Sequence, residues 1–220
     1  MKNLFFVLAI LLSTIVSAQT GKEIIDRNIQ ATGGLTNWKL LNTVLLQGKL
    51  ILGVDNEYQV KIFQARPNLS KTTIIVNGKE TVVEGYDGKK GYAMDYTQNK
   101  LIADGKYRAE SFDNDFIDFE SKGFTANYLG IERLGGRNCF KVELIKNVNR
   151  TYYYFDTQSN MLIREEKQGE ILEYSGFKKV GNLTFPFRIE SSSAEKDSDY
   201  VIQIHKIDTN KAFPANTFKF

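Results

Sequence analysis

One cysteine and one histidine in 220 residues remove most of the side chains from which catalytic and metal centres are assembled. Cys139 has no partner for an intramolecular disulfide, so an oxidising compartment is tolerated without being used and stability must come from the core. A Ser-His-acid hydrolase needs a histidine oriented by an acid. His205 instead falls out of phase with Ile202 and Ile204 in an alternating segment, which places it on the polar face of a strand. Zinc centres draw on groups of histidine and cysteine, and one of each, far apart, does not make a ligand set. Phosphate-binding glycine loops and the D-x-D-x-D-G calcium loop are absent, so the nucleotide and EF-hand readings fall away. The 29 basic and 26 acidic residues are mixed along the chain, leaving no basic face for nucleic acid. The expectation is a protein without catalytic, metal or cofactor-binding residues, and therefore not an enzyme.

Long apolar runs are equally scarce, with one exception at the start. Lys2 precedes an apolar stretch from Leu4 to Leu12 that continues to Ile15 and Val16 and ends in Val16-Ser17-Ala18. A positive start, a short apolar centre and a small-x-small exit make a secretory signal cleaved after Ala18. The stretch is shorter than the roughly 20 apolar residues of a membrane-spanning helix, and no cysteine follows the cleavage point for lipid attachment. Residues 19 to 220 are expected to form one soluble periplasmic domain, a monomer without a transmembrane anchor.

What is present is β-structure. After an amphipathic helix over Gly21 to Thr32, closed by Gly33-Gly34 and followed by a short helical turn around Trp38, the apolar period changes to two. Leu46, Leu50 and Leu52 share one face, as do Tyr58, Val60 and Ile62 on the next segment. Leu69 to Val76 leads into Asn77-Gly78, the strongest hairpin signal in the chain; Thr81 to Tyr86 and Gly91 to Tyr96 continue the meander. From Lys106 to Lys122 the spacing of Phe112, Phe116 and Phe119 predicts a helix with an aromatic stripe, and Asp113, Asp118 and Glu120 would form its solvated face. A carboxylate pair can serve a glycosidase, but a charged helix face is the simpler account. Strands resume over 124–134, 138–146, 151–156, 161–167, 171–178, 183–192 and 199–207, for a total of about ten to twelve. Cys139 would share an outer face with Lys141 and Glu143, opposite Phe140, Val142 and Leu144. Tyr152-Tyr153-Tyr154-Phe155 puts large rings on both faces of one strand, so both faces must be covered.

The order of several short motifs carries a resemblance. Ala31-Thr32-Gly33-Gly34 with Trp38, Tyr86-Asp87-Gly88 before Gly91-Tyr92, the run Leu134 to Val142, Tyr153-Tyr154-Phe155-Asp156, and Phe185-Pro186 together resemble the LolA and LolB lipoprotein-carrier superfamily over nearly the whole mature chain. The resemblance implies a mainly β fold with a few helices: a single antiparallel, strongly curved incomplete β-barrel whose concave apolar face is covered by helices. It also implies a ligand, an acyl chain of a lipoprotein or another lipid-like molecule, with lipoproteins and other envelope proteins as partners. Leu46, Leu50, Tyr58, Val60 and Ile62 are the concave-face candidates, and Phe112, Phe116 and Phe119 the candidates on the covering lid. An envelope scaffold that fills the same half-barrel permanently is the alternative.

Overall fold

The computed structural model describes residues 19–53, 56–105, 112–193 and 199–220; the expected signal segment lies outside them. Two helices, α1 (Gly21–Ala31) and α2 (Leu35–Leu40), precede β1 (Thr43–Leu52), β2 (Asn56–Ala65), β3 (Leu69–Val76), β4 (Lys79–Tyr86), β5 (Gly91–Asp95) and β6 (Lys100–Asp104). The second half holds β7 (Thr125–Leu134), β8 (Arg137–Lys146), β9 (Asn149–Asp156), β10 (Leu162–Lys167) and β11 (Glu170–Ser175). It ends with β12 (Lys178–Val180), β13 (Leu183–Phe185), β14 (Arg188–Ser193) and β15 (Tyr200–Thr209). Thirteen strands form one antiparallel sheet in the order β6-β5-β4-β3-β2-β1-β15-β14-β11-β10-β9-β8-β7, and β12 and β13 pair separately. The sheet is not closed, because β6 and β7 remain its two edges.

It is nevertheless strongly curved. The strands β9 and β15 are four strand steps apart, about 19 Å along a flat sheet. Yet the single side chain of Trp38 packs against both the apolar cluster that includes β9 and the one that includes β15. The fold is an incomplete, curved antiparallel β-barrel with helices over its concave face.

Each element has a local cause. Thr20 and Glu23 form a reciprocal capping box at the start of α1, and Gly33 and Gly34, at φ 126° and 87°, turn the chain out at its end. A Cβ on Gly33 would lie 2.3 Å from the Asn182 carbonyl oxygen, so the turn is also a close contact with the β12–β13 hairpin. Ile24, Ile25 and Ile29 of α1 are buried against Phe140, Val142 and Leu144 of β8 and Tyr153 and Phe155 of β9. Each fully buried side chain of this kind contributes about 1.5–3 kcal/mol. A second apolar cluster joins Leu41, Val44, Leu183, Phe185, Phe187, Ile204 and Ile207, and Trp38 of α2 touches both clusters. The Trp38 ring meets Phe185 edge-on at 5.4 Å.

Asn77 and Gly78 take φ 51° and 76°, the two positive values a two-residue hairpin turn requires. Three expectations are corrected. The strand β6 was unforeseen. The single strands read over 171–178 and 183–192 are each broken in two, the first at Gly176 with φ 65° and the second at Pro186, which has no N–H to donate to a ladder. The helix read over 106–122 is not formed by its described part. Residues 106–111 lie outside the described residues, 112–113 are a bend, and 115–123 are successive turns. Asn114 Oδ1 accepts hydrogen bonds from the N–H groups of Phe116 and Ile117, and Asp118 sits at φ 51°, a left-handed conformation that interrupts any helix.

The expected exposure of Cys139 is also overturned, since its side chain is 0% exposed. The strand phase holds, because Phe140, Val142 and Leu144 do face α1. What differs is the outer face, which is roofed by long side chains. Lys141 pairs with Glu132 at 2.9 Å and lies over the rings of Tyr152 and Tyr154. Tyr154 donates to Glu166 at 2.9 Å, and Arg164 bridges Glu166 and Glu173. This network explains how Tyr154 and Phe155 can both be buried on opposite faces of β9. Burial, then Asp156, pushes the Cys139 thiol up. Native protein should therefore resist a thiol reagent until unfolded, and Cys139→Ser should cost about 1–3 kcal/mol. Rapid labelling of the native protein would place the thiol at the surface after all.

Candidate functional site

Directly opposed residues of an antiparallel pair share a face, so the registers assign the concave side. Leu46 pairs with Ile62, Gly48 with Val60 and Leu50 with Tyr58; across the other edge of β1, Leu46 pairs with Ile207 and Leu50 with Ile202. Leu46 and Ile202 pack against the second cluster. Leu46, Leu50, Tyr58, Val60 and Ile62 thus lie together on the face that α1 and α2 cover. Val60 is buried, while Leu46, Leu50, Tyr58 and Ile62 retain partial exposure.

Phe112, Phe116 and Phe119 lie on a strap, residues 112–124, that crosses the same face. Phe116 and Phe119 are both 4% exposed. The Phe116 ring stands at 4.8 Å from that of Tyr153 and 5.4 Å from that of Phe155. Phe112 packs against the other cluster instead, beneath the Arg66 guanidinium at 5.0 Å. The three rings are distributed over two clusters rather than aligned as one stripe.

The strap's carboxylates are not the solvated face expected of them. Asp113 accepts from Arg66 at 2.6 Å, Asp115 from Lys146 at 2.5 Å and from the Tyr153 hydroxyl at 2.7 Å. Asp118 pairs with Lys39 of α2 at 2.7 Å and Glu120 with Lys22 of α1 at 3.8 Å. Four acids are thus tied to four separate parts of the protein. Arg66, which no motif in the sequence singles out, donates from Nε to the Leu41 carbonyl at 2.6 Å and from its guanidinium to the Trp38 carbonyl at 3.0 Å. It joins the end of α2, the β2–β3 turn and the strap in one junction, and the only sequence signal for it is an arginine placed before Pro67 at a strand end.

Beside the strap, the concave face becomes polar. Glu165 and Lys167 of β10 lie in phase with Tyr153 and Thr151, and the Tyr174 hydroxyl donates to Glu165 at 3.0 Å. Burial raises the Glu165 carboxyl above its usual range, with Lys167 and the Tyr174 hydrogen bond opposing it. Burial, then Glu165, then Asp115 likewise drive the Tyr153 hydroxyl upward. His205, by contrast, is exposed on β15. A shallow depression of about 290 Å³ between α2 and the β12–β13 turn, lined by Leu40, Val180 and Asn182 among others, includes none of the candidate residues.

On the opposite face, the segment after β15 runs over the first half of the sheet. Phe213 meets Phe63 at 5.5 Å, and Phe220 stacks on Tyr92 at 4.8 Å in a place left open by Gly85, whose Cβ would fall 2.1 Å from the Phe220 ring.

No protein-family model matches the chain, and no curated protein matches it in sequence. Solved structures do match. A DUF1329 family protein from Desulfovibrio piger aligns with a TM-score of 0.62 at 11% identity, over 90% of this chain and 95% of that one. A LolA superfamily protein from Nitrosomonas europaea aligns with a TM-score of 0.59 at 12% identity, over 92% and 99%. An outer membrane lipoprotein-sorting protein domain from Vibrio parahaemolyticus aligns with a TM-score of 0.57 at 12% identity, over 90% and 96%. Among the described residues no helix is long and apolar enough to cross a membrane. The chain has the LolA-like fold.

Proposed function

We propose that the protein is a non-enzymatic periplasmic carrier or binding protein for lipoprotein acyl chains or another lipid-like ligand, held against the concave face after the first 18 residues are removed. Residues 19 to 220 act as one domain in this reading. The observation that carries it is the partly exposed apolar strip of Leu46, Leu50, Tyr58 and Ile62 alongside a strap held by buried rings and by ion pairs to four separate parts of the protein. An apolar floor shelters methylene groups, and the exposed pairs of Asp118 and Glu120 with the helix lysines can be exchanged for water at little net cost. Phe112, Phe116 and Phe119 would meet the ligand from the strap side. The fold shared with a lipoprotein-sorting domain supports the reading, while fold alone does not assign a ligand.

A second reading, a scaffold with a permanently filled interior, is favoured by the deep burial of Phe116 and Phe119. Binding of a homologous series of fatty acids to delipidated protein separates the two. A carrier should gain about tenfold in affinity for each two added methylenes, since each contributes about 0.8 kcal/mol. A scaffold should bind no member of the series, and that result would end the carrier reading.

A further inference from the structure

We infer that the seat of Asp115 is a binding site for the anionic oxygen head of an amphiphile, a carboxylate or a phosphate, which the chain's own strap fills in its place. The inference rests on the lipid-binding reading above and specifies the ligand's polar end.

The argument begins with what surrounds this one side chain. Lys146 and Tyr153 belong to neighbouring strands of one face, Lys146 in phase with Val142 and Leu144, and Tyr153 opposed to Val142. Both direct donors at the same oxygen, Asp115 Oδ2, at 2.5 Å and 2.7 Å. The next residue of the strap, Phe116, puts its ring among Tyr153 and Phe155 in the apolar cluster. An anionic head and an adjoining apolar body, on a segment that is neither helix nor strand, reproduce the two halves of an amphiphile. Tyr153 serves both at once, its hydroxyl on the head and its ring on the body.

The other three ion pairs of the strap lack this arrangement. Asp118 and Glu120 pair with half-exposed lysines of the helices, and Arg66 spends its remaining donors on backbone carbonyls. Only at Asp115 do the donors come from the sheet floor, where Tyr153 is 2% exposed. If a ligand's apolar body displaces the strap and covers the same surface, Lys146 and the Tyr153 hydroxyl lose the Asp115 carboxylate under a cover that excludes water, which is costly unless an anion on the ligand takes their hydrogen bonds. Glu165 lies beside the seat, where the charges of Lys146 and Asp115 both reach it, and it pairs with Lys167 at 3.6 Å. The negative charge that meets both Lys146 and the Tyr153 hydroxyl directly is the one that Asp115 supplies.

Three twelve-carbon probes with different heads, laurate, dodecyl phosphate and dodecanol, test this by calorimetry below their micelle concentrations. Asp115→Asn removes the competing charge and should tighten one or both anionic probes about tenfold while leaving dodecanol within about twofold. Tyr153→Phe and Lys146→Met should each weaken the anionic probes about tenfold with dodecanol again little changed. Lys146→Arg, which keeps the charge, should retain the preference and guards against a folding defect in the methionine variant. The anion that gains more from Asp115→Asn identifies the head. Equal binding of all three probes, unaltered by these substitutions, would overturn the inference and leave the carrier reading standing; no binding of any probe would overturn both.

Discussion

Replacing Gly48 by Ala is expected to destabilise the protein by about 3 kcal/mol or more, at the top of the range for forcing extra atoms into a packed site. The reason lies in the seam between the two halves of the sheet. β1 and β15 pair along their whole length, with a register shift between Gln47 and Gly48. A Cβ on Gly48 would stand 2.2 Å from the Gln203 carbonyl oxygen, 2.9 Å from its carbon and 2.9 Å from the Ile204 Cα. All three are backbone atoms of the partner strand, so no side-chain rotation relieves the clash. Gly78→Ala is the contrasting case: nothing lies within 4 Å of its added Cβ, and the positive φ alone should cost about 1 kcal/mol. Urea unfolding of both variants checks the pair. Similar losses at the two positions would mean that the seam yields easily.

Phe116→Ala should cost about 3–5 kcal/mol in ligand-free protein, the usual range for deleting a buried aromatic ring. Phe116 is 4% exposed and touches two other rings, so the strap is part of the core when no ligand is present. The same substitution opens space on the concave face. If that face binds acyl chains, part of the lost stability should return on adding a fatty acid, by mass action on the folded state. A full loss that no concentration of ligand repairs would favour the scaffold reading. A loss below about 1 kcal/mol would contradict the packing described here.

The parts of the fold that were legible in the sequence are those governed by neighbours along the chain. The Thr20 cap, the Gly33-Gly34 exit of α1 and the Asn77-Gly78 turn are set by a few consecutive residues, and alternation then assigns faces within each hairpin. The strap misled because turns can place Phe112, Phe116 and Phe119 at helical intervals just as a helix does; Asn114 and Asp118, both suited to turns, were the contrary signal. Cys139 misled because Lys141 and Glu143 are polar, whereas the cover on their face comes from partners on other strands: Lys141 is held down by Glu132 and Tyr154, and Glu143 is buried between Asn127 and Arg150. The Asp115 seat and the Arg66 junction were out of reach for the same reason. Arg66 and Asp113 are 47 positions apart and Asp115 and Tyr153 are 38, and no local pattern specifies which pairs will meet.

The seam also dictates an order of events. Nearly every other neighbour in the large sheet is joined by a hairpin or a short excursion, but the bond between the Asn42 N–H and the Asn210 side chain closes 168 positions of chain. Loop closure of that length carries an entropy cost that local hairpins avoid. The meander β1–β6 and the strands from β7 onward can each gather early, whereas β1 has no second neighbour until β15 exists. Seam contacts should then be largely absent from the folding transition state. Their loss should appear as faster unfolding with folding hardly slowed, so the protein's lifetime in the folded state is governed where its two halves are stitched together.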